Sequence, residues 1–161
     1  MRKLAIGFDP GSTKTGAAVL AQDDNGLVVF VNAVYFHNSV AVALDLLRDI
    51  STPRAREGKI RPMVGVEAPF GSYFGGHMIK QAQFGGYLLW RAEELGLYVA
   101  GYTHHQWSSF CAPGYRKVKS KSAREKHVHA TLQSLIVDFP AKSNVHLRDA
   151  IGVAYRRIHA D

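Results

Sequence analysis

The chain has one cysteine, Cys111, so no disulfide can close within it, and a reducing, cytoplasmic setting is expected. Cys111 itself reads as a small buried side chain rather than a nucleophile. Long apolar runs are also missing. Leu4 to Phe8 is apolar behind Met1-Arg2-Lys3 but stops at Asp9, short of a targeting segment, and no stretch reaches the length of a membrane span. No internal repeat or low-complexity tract is present. Acids are scarce relative to bases: 13 Asp and Glu stand against 20 Lys and Arg, a formal charge of +7. That surplus favours a polyanionic partner, nucleic acid first, although solubility alone would also use it. At 161 residues the chain can bury one substantial core and is expected to form a single domain, 1–161.

What is present organises as an α/β chain. Leu4 to Phe8 ends in the turn signal Asp9-Pro10-Gly11, Gly16 to Leu20 follows at hairpin distance, and Asp23 to Gly26 offers a second turn before a strand from Leu27 to Phe36. These three should form an antiparallel meander. Val40, Leu44, Leu47 and Ile50 recur at helical spacing, a basic loop spans Thr52 to Pro62, and Met63 to Ala68 reads as a buried strand. Because a helix precedes that strand, it should pair in parallel with the first. A Gly- and aromatic-rich loop, Phe70 to Gly76, leads to a helix from His77 to about Leu95, then a fifth strand, Leu97 to Tyr102. Ser122 to Glu125 has capping-box spacing, placing a helix start near Ala123, and a last helix should begin near Asn144. The expected product is a five-stranded mixed sheet with helices on both faces, the order of the ribonuclease H-like fold.

Two acids sit oddly in this pattern. Asp9 ends an otherwise apolar strand, and Glu67 does the same in Met63-Val-Gly-Val-Glu67. An ionised group there is costly unless a cation meets it, though Asp9 could merely accept a backbone hydrogen bond in its turn. If the two strands are parallel neighbours, both carboxylates emerge at one sheet edge and repel each other unless a cation intervenes. His146 and Asp149, three apart on a helix, share a face that could be turned to that edge, or could simply be a solvated first turn. Together the four groups form an oxygen-rich set with one imidazole, suited to Mg²⁺ or Mn²⁺, and two such ions could promote phosphodiester hydrolysis. His104-His105 also suggests metal, but adjacent side chains diverge along a helix or strand, so a shared ligand is not expected.

Ile6-Gly-Phe-Asp9-Pro-Gly-Ser-Thr-Lys-Thr-Gly16 resembles the first motif of RuvC-type Holliday junction resolvases. Val64-Gly-Val-Glu67 resembles their second, and His146-Leu-Arg-Asp149-Ala-Ile-Gly-Val-Ala their C-terminal motif, with Ser122-Ala-Arg-Glu-Lys126 similar to the segment ahead of the penultimate helix. The resemblance spans nearly the whole chain in order. It implies a Mg²⁺-dependent endodeoxyribonuclease that resolves four-way DNA junctions in recombination and repair, with two metals per site held by Asp9, Glu67, His146 and Asp149. His146 stands where many members carry Asp, which leaves it open as a metal ligand or as a proton carrier.

The resemblance further places a base-stacking aromatic at Phe70, to which Tyr73 and Phe74 add, unless these rings pack on the sheet. It also implies a homodimer through the helix that contains Gly85 and Gly86, where a neighbouring helix would explain the glycines, as a local kink also would. Six of the eleven residues from Arg116 to Lys126 are basic, so Arg116, Lys117, Lys119, Lys121 and Lys126 are expected to track phosphates. Arg54, Arg56, Lys59 and Arg61 read as a solvated loop. Actin-like and sugar-kinase ATPases share the opening turn but need two such domains, and no Walker P-loop follows Gly16, so no nucleotide cofactor is expected. A pre-ribosomal RNA nuclease of the same fold and a non-catalytic branched-DNA module are the remaining alternatives.

Overall fold

The computed structural model describes residues 2–51, 60–69 and 75–160. Strands β1 (Arg2–Pro10), β2 (Lys14–Gln22) and β3 (Val28–His37) form the antiparallel meander, joined by β4 (Ile60–Glu67), β5 (Tyr98–Tyr102) and β6 (Ile136–Val137). The sheet order is β5-β4-β1-β2-β3-β6, with β4 parallel to β1 and to β5. The five expected strands are therefore joined by a sixth. It has two residues, paired in parallel with Val28 and Val29, too short for any alternation to announce it.

Helices α1 (Val40–Ile50) and α2 (Gly76–Glu94) lie on one face, where Ala43, Leu47, Leu88 and Ala92 pack against Ile6, Phe8, Val64 and Val66. On the other face lie α3 (His104–Cys111), α4 (Lys121–Leu135) and α5 (Val145–Ile158), whose Trp107, Leu132, Ile151 and Ala154 meet Ala5, Ala18 and Met63. Each of these three begins at a side-chain cap: Thr103 for α3, Ser120 for α4 and Asn144 for α5. Helix α4 thus starts two residues before the expected Ala123, because the Ser120 hydroxyl accepts from the Ala123 amide at 3.1 Å. Helix α3 and the 3₁₀ turn Tyr115–Lys117 lie where the sequence showed no element.

Helix α5 sits unusually low on the sheet, and glycines on three adjacent strands permit it. A Cβ on Gly7 would lie 2.2 Å from the Ala150 carbonyl oxygen, one on Gly16 would lie 2.5 Å from that of His146, and one on Gly65 2.9 Å from Val153. Side chains at these positions would lift the helix away. The same approach continues above α5, where Gly152 makes room for the fully buried Trp107 ring.

Candidate active site

Register brings the strand-end acids together. Phe8 pairs with Val66 across parallel β1 and β4, so Asp9 and Glu67, next along each strand, leave the sheet side by side. Phe8 and Val66 point into the core under α1 and α2. By alternation Asp9 and Glu67 face the opposite side, the one covered by α5. The low seat of α5 then delivers its first turns to the same place. His146 Nδ1 lies 2.7 Å from Asp9 Oδ2, and its ring stacks on Tyr35 of β3 with centroids 5.4 Å apart. Asp149, one turn on, has Arg148 Nε at 3.9 Å. Asp9, Glu67, His146 and Asp149 all line one cleft of about 550 Å³.

Three residues that the sequence reading did not place also line it. Trp107 donates its indole N–H to Glu67 Oε2 at 2.7 Å, and His104 Nδ1 lies 3.6 Å from Glu67 Oε1. The other nitrogen of His104 is 3.1 Å from the Tyr115 hydroxyl. Donor atoms of Glu67, His104 and Asp149 fall within 4.8 Å of one another, a spacing that one metal ion could bridge. The adjacent histidines do diverge, as expected: His105 lines the cleft but does not join this group. His104, by contrast, stands among these donors. A usable signal existed in Thr103-His-His-Gln106, a capping box that starts a helix and places His104 and Trp107 on one face.

The electrostatics report negative charge short of compensation. Burial pushes the Asp149 carboxyl from 3.8 up to about 7, with Glu67 and Asp9 adding repulsion. Burial likewise raises Asp9, against the lowering influence of its His146 hydrogen bond and with Glu67 again raising it. His146 is raised above its ordinary value chiefly by the hydrogen bond to Asp9. For His104, burial opposes protonation, but Glu67, Asp149 and Asp9 outweigh it and the net direction is also upward. Every resolved shift among these four groups holds a proton more tightly, which is the behaviour of a site that attracts positive charge. Oxygen and imidazole donors of this kind fit a divalent cation, so a metal site is available here.

The basic segment runs from the cleft outward. Lys121 and Arg124, in the first turn of α4, line it, whereas Arg116, Lys117, Lys119 and Lys126 are exposed beyond its lining residues. Phe70, Tyr73 and Phe74, and likewise Arg54, Arg56 and Lys59, lie outside the described residues, while Arg61 belongs to β4. On α2, Gly85 faces the sheet, where a Cβ would make ordinary van der Waals contact with Val66 at 3.4 Å and Pro10 at 3.6 Å, so packing within the chain does not by itself call for a glycine there. Gly86 opens on unoccupied space, beside exposed Ile79 and Trp90 of the same helix. No described helix is long and apolar enough to cross a membrane.

No protein-family model matches the sequence, and no curated protein matches it. Solved structures do share its architecture. Thermus thermophilus RuvC aligns with a TM-score of 0.65 at 20% identity, over 95% of this chain and 92% of its own. T. thermophilus RuvC in complex with a Holliday junction substrate aligns at 0.67 and 20%, over 95% and 91%. The yeast mitochondrial Holliday junction resolvase aligns at 0.56 and 11%, over 94% and 77%. Across nearly its whole length, the chain has the ribonuclease H-like fold of RuvC.

Proposed function

We propose that the chain is a metal-dependent endonuclease that cuts branched DNA, with the four-way junction as its substrate, acting as a cytoplasmic homodimer. The observation that carries this reading is the convergence of Asp9 and Glu67 from adjacent parallel strands with Asp149 and His146 from α5. A nuclease needs such a gathering, because the transferred phosphodiester has to be met by positive charge where charge builds up. Asp9, Glu67 and Asp149 would supply oxygen donors for two Mg²⁺ ions, with Mn²⁺ able to substitute, and His146 would serve either as a further donor or as a proton carrier. When bound, the ions supply Lewis-acid activation of the phosphodiester.

The remaining work falls to the chain. Trp107 holds Glu67 in place by a hydrogen bond from outside the carboxylate cluster, and Arg148 sets a positive charge 3.9 Å from Asp149. Asp9 fixes the ring of His146 through Nδ1, and Tyr35 supports it from the side, so its Nε2 is the atom available to exchange a proton with a leaving oxygen. Lys121 and Arg124 line the cleft where a phosphate backbone would approach, and the exposed bases beyond them extend that track. A four-way junction presents two symmetry-related strands, which a two-fold dimer through α2, with Gly86 and Trp90 on its outer surface, would meet with two sites.

The deciding assay incubates the protein and its Asp9→Asn and Glu67→Gln variants with labelled four-way, forked and linear duplexes, with and without Mg²⁺. Symmetric, Mg²⁺-dependent nicks in the four-way substrate are expected from the unaltered protein. Both variants should bind the junction and leave it uncut. Cleavage at unaltered rates in both would refute the site.

A further inference from the structure

We infer that His104 is a metal ligand of this site, its Nδ1 sharing one divalent cation with carboxylate oxygens of Glu67 and Asp149. The inference rests on the metal-dependent reading above and names a donor within it.

Distance comes first. At 3.6 Å, His104 Nδ1 and Glu67 Oε1 are too far apart for a hydrogen bond. Two donors held about 2.1 Å from one octahedral ion stand about 3 Å apart when adjacent and about 4.2 Å when opposite. The donors of Glu67, His104 and Asp149, within 4.8 Å of one another, need only a small closure to meet that spacing.

Orientation comes second. A ligating imidazole must present a bare nitrogen, and its other nitrogen must therefore carry the proton. His104 Nε2 lies 3.1 Å from the Tyr115 hydroxyl oxygen, which can accept that proton's hydrogen bond and leave Nδ1 bare toward Glu67. Trp107 acts in the same sense on the carboxylate: its indole N–H occupies Oε2 at 2.7 Å and leaves Oε1 facing His104. Trp107 is fully buried and Tyr115 nearly so, which makes both rigid supports. The His104 backbone is fixed as well, at the first residue of α3 behind the Thr103–Gln106 capping box.

His146 is placed differently. Its Nδ1 is already taken by Asp9 at 2.7 Å, and, like Asp9, it is not among the three described residues whose donors cluster. Of the three imidazoles at the cleft, His104 is the one whose free nitrogen faces carboxylate oxygens while its other nitrogen is held from behind.

The test reads the metal rather than the cleavage. Mn²⁺ is added to the full chain and to its His104→Gln and His146→Gln variants, and pulsed electron paramagnetic resonance records ¹⁴N coupling to the ion. Melting in EDTA verifies that each variant is folded. Imidazole coupling is expected in the unaltered protein and should persist in His146→Gln, while His104→Gln should bind Mn²⁺ at least about tenfold more weakly. Mg²⁺, which favours oxygen donors, should lose less affinity than Mn²⁺ in the same variant. Tyr115→Phe should keep the coupling but weaken Mn²⁺ by about tenfold. Absence of nitrogen coupling in His146→Gln, unaltered Mn²⁺ affinity in His104→Gln, or bound Mn²⁺ with no nitrogen coupling in the unaltered protein overturns the assignment and leaves the nuclease reading standing. Failure of the unaltered protein to bind Mn²⁺ overturns both.

Discussion

Replacing Asp149 by Asn should stabilise the metal-free protein, and the gain should grow with pH. In the fold, this carboxyl is pushed from 3.8 to about 7 by burial and by the charges of Glu67 and Asp9. Between those values the folded state holds a proton that the unfolded chain has released, so stability falls as pH rises. Each pKa unit is worth about 1.4 kcal/mol, so the full interval amounts to roughly 4 kcal/mol. By about pH 5 only about a third of that has been lost, and by about pH 8 all of it has. Asp9, His104 and His146 are raised too and act in the same direction, losing stability as pH climbs through their folded values. His129, lowered by burial, acts the other way, but it is common to both proteins and cancels in their difference. For a chain of this size 1 kcal/mol moves the melting temperature by about 2–4 °C, so Asp149→Asn should melt roughly 10 °C higher at about pH 8 in EDTA and only a few degrees higher at about pH 5. A divalent cation takes over the role of the missing protons, so added Mn²⁺ should erase the difference or reverse it. Calorimetry across this range, with and without Mn²⁺, is the measurement. An unaltered protein whose metal-free stability is flat or rises from about pH 5 to 8, or a variant whose gain is the same at both ends, would refute the electrostatic account.

Gly16→Ala tests the seating of α5. Its Cβ would fall 2.5 Å from the His146 carbonyl oxygen, a backbone atom that cannot swing aside, so a loss of about 1–3 kcal/mol in denaturant unfolding is expected, together with lost cleavage as His146 and Asp149 are displaced. Unchanged unfolding would mean that the helix has slack to spare. Reversing charge at Lys119 and Lys121 should weaken junction binding and flatten the dependence of log affinity on log salt by up to about two phosphate contacts. An unaltered slope in a binding titration would remove this segment from the interface.

Much of the architecture could be read along the chain because it was written in periods. The meander, the crossover to β4 and the amphipathic α1 each declare themselves through alternation or helical spacing. The acids at Asp9 and Glu67 were legible as faults in those patterns: a charged residue where the period called for an apolar one. Residues 136–137 could not be read in this way, since two residues have no period. Nor could the glycine row. Gly7, Gly16 and Gly65 look unremarkable in sequence, and only the register of β1 with β2 and β4, plus the helix above them, turns them into the condition for His146 to reach Asp9.

His104 escaped for a more instructive reason. Judged beside His105, it belongs to a pair whose side chains diverge, and that judgement holds. Its neighbours at the cleft are instead Glu67 and Asp149, distant along the chain in both directions. What orients His104 is equally remote from its neighbours in sequence: Tyr115 holds one nitrogen from beyond the end of α3, and Trp107 holds the carboxylate that faces the other. A set of candidate metal donors drawn from strand ends and helix starts has no characteristic spacing, because each member is placed by a different element. Its signature is physical instead. Buried acids repel one another, every resolved proton affinity in the group rises, and hydrogen bonds from behind leave particular donor atoms facing a common point.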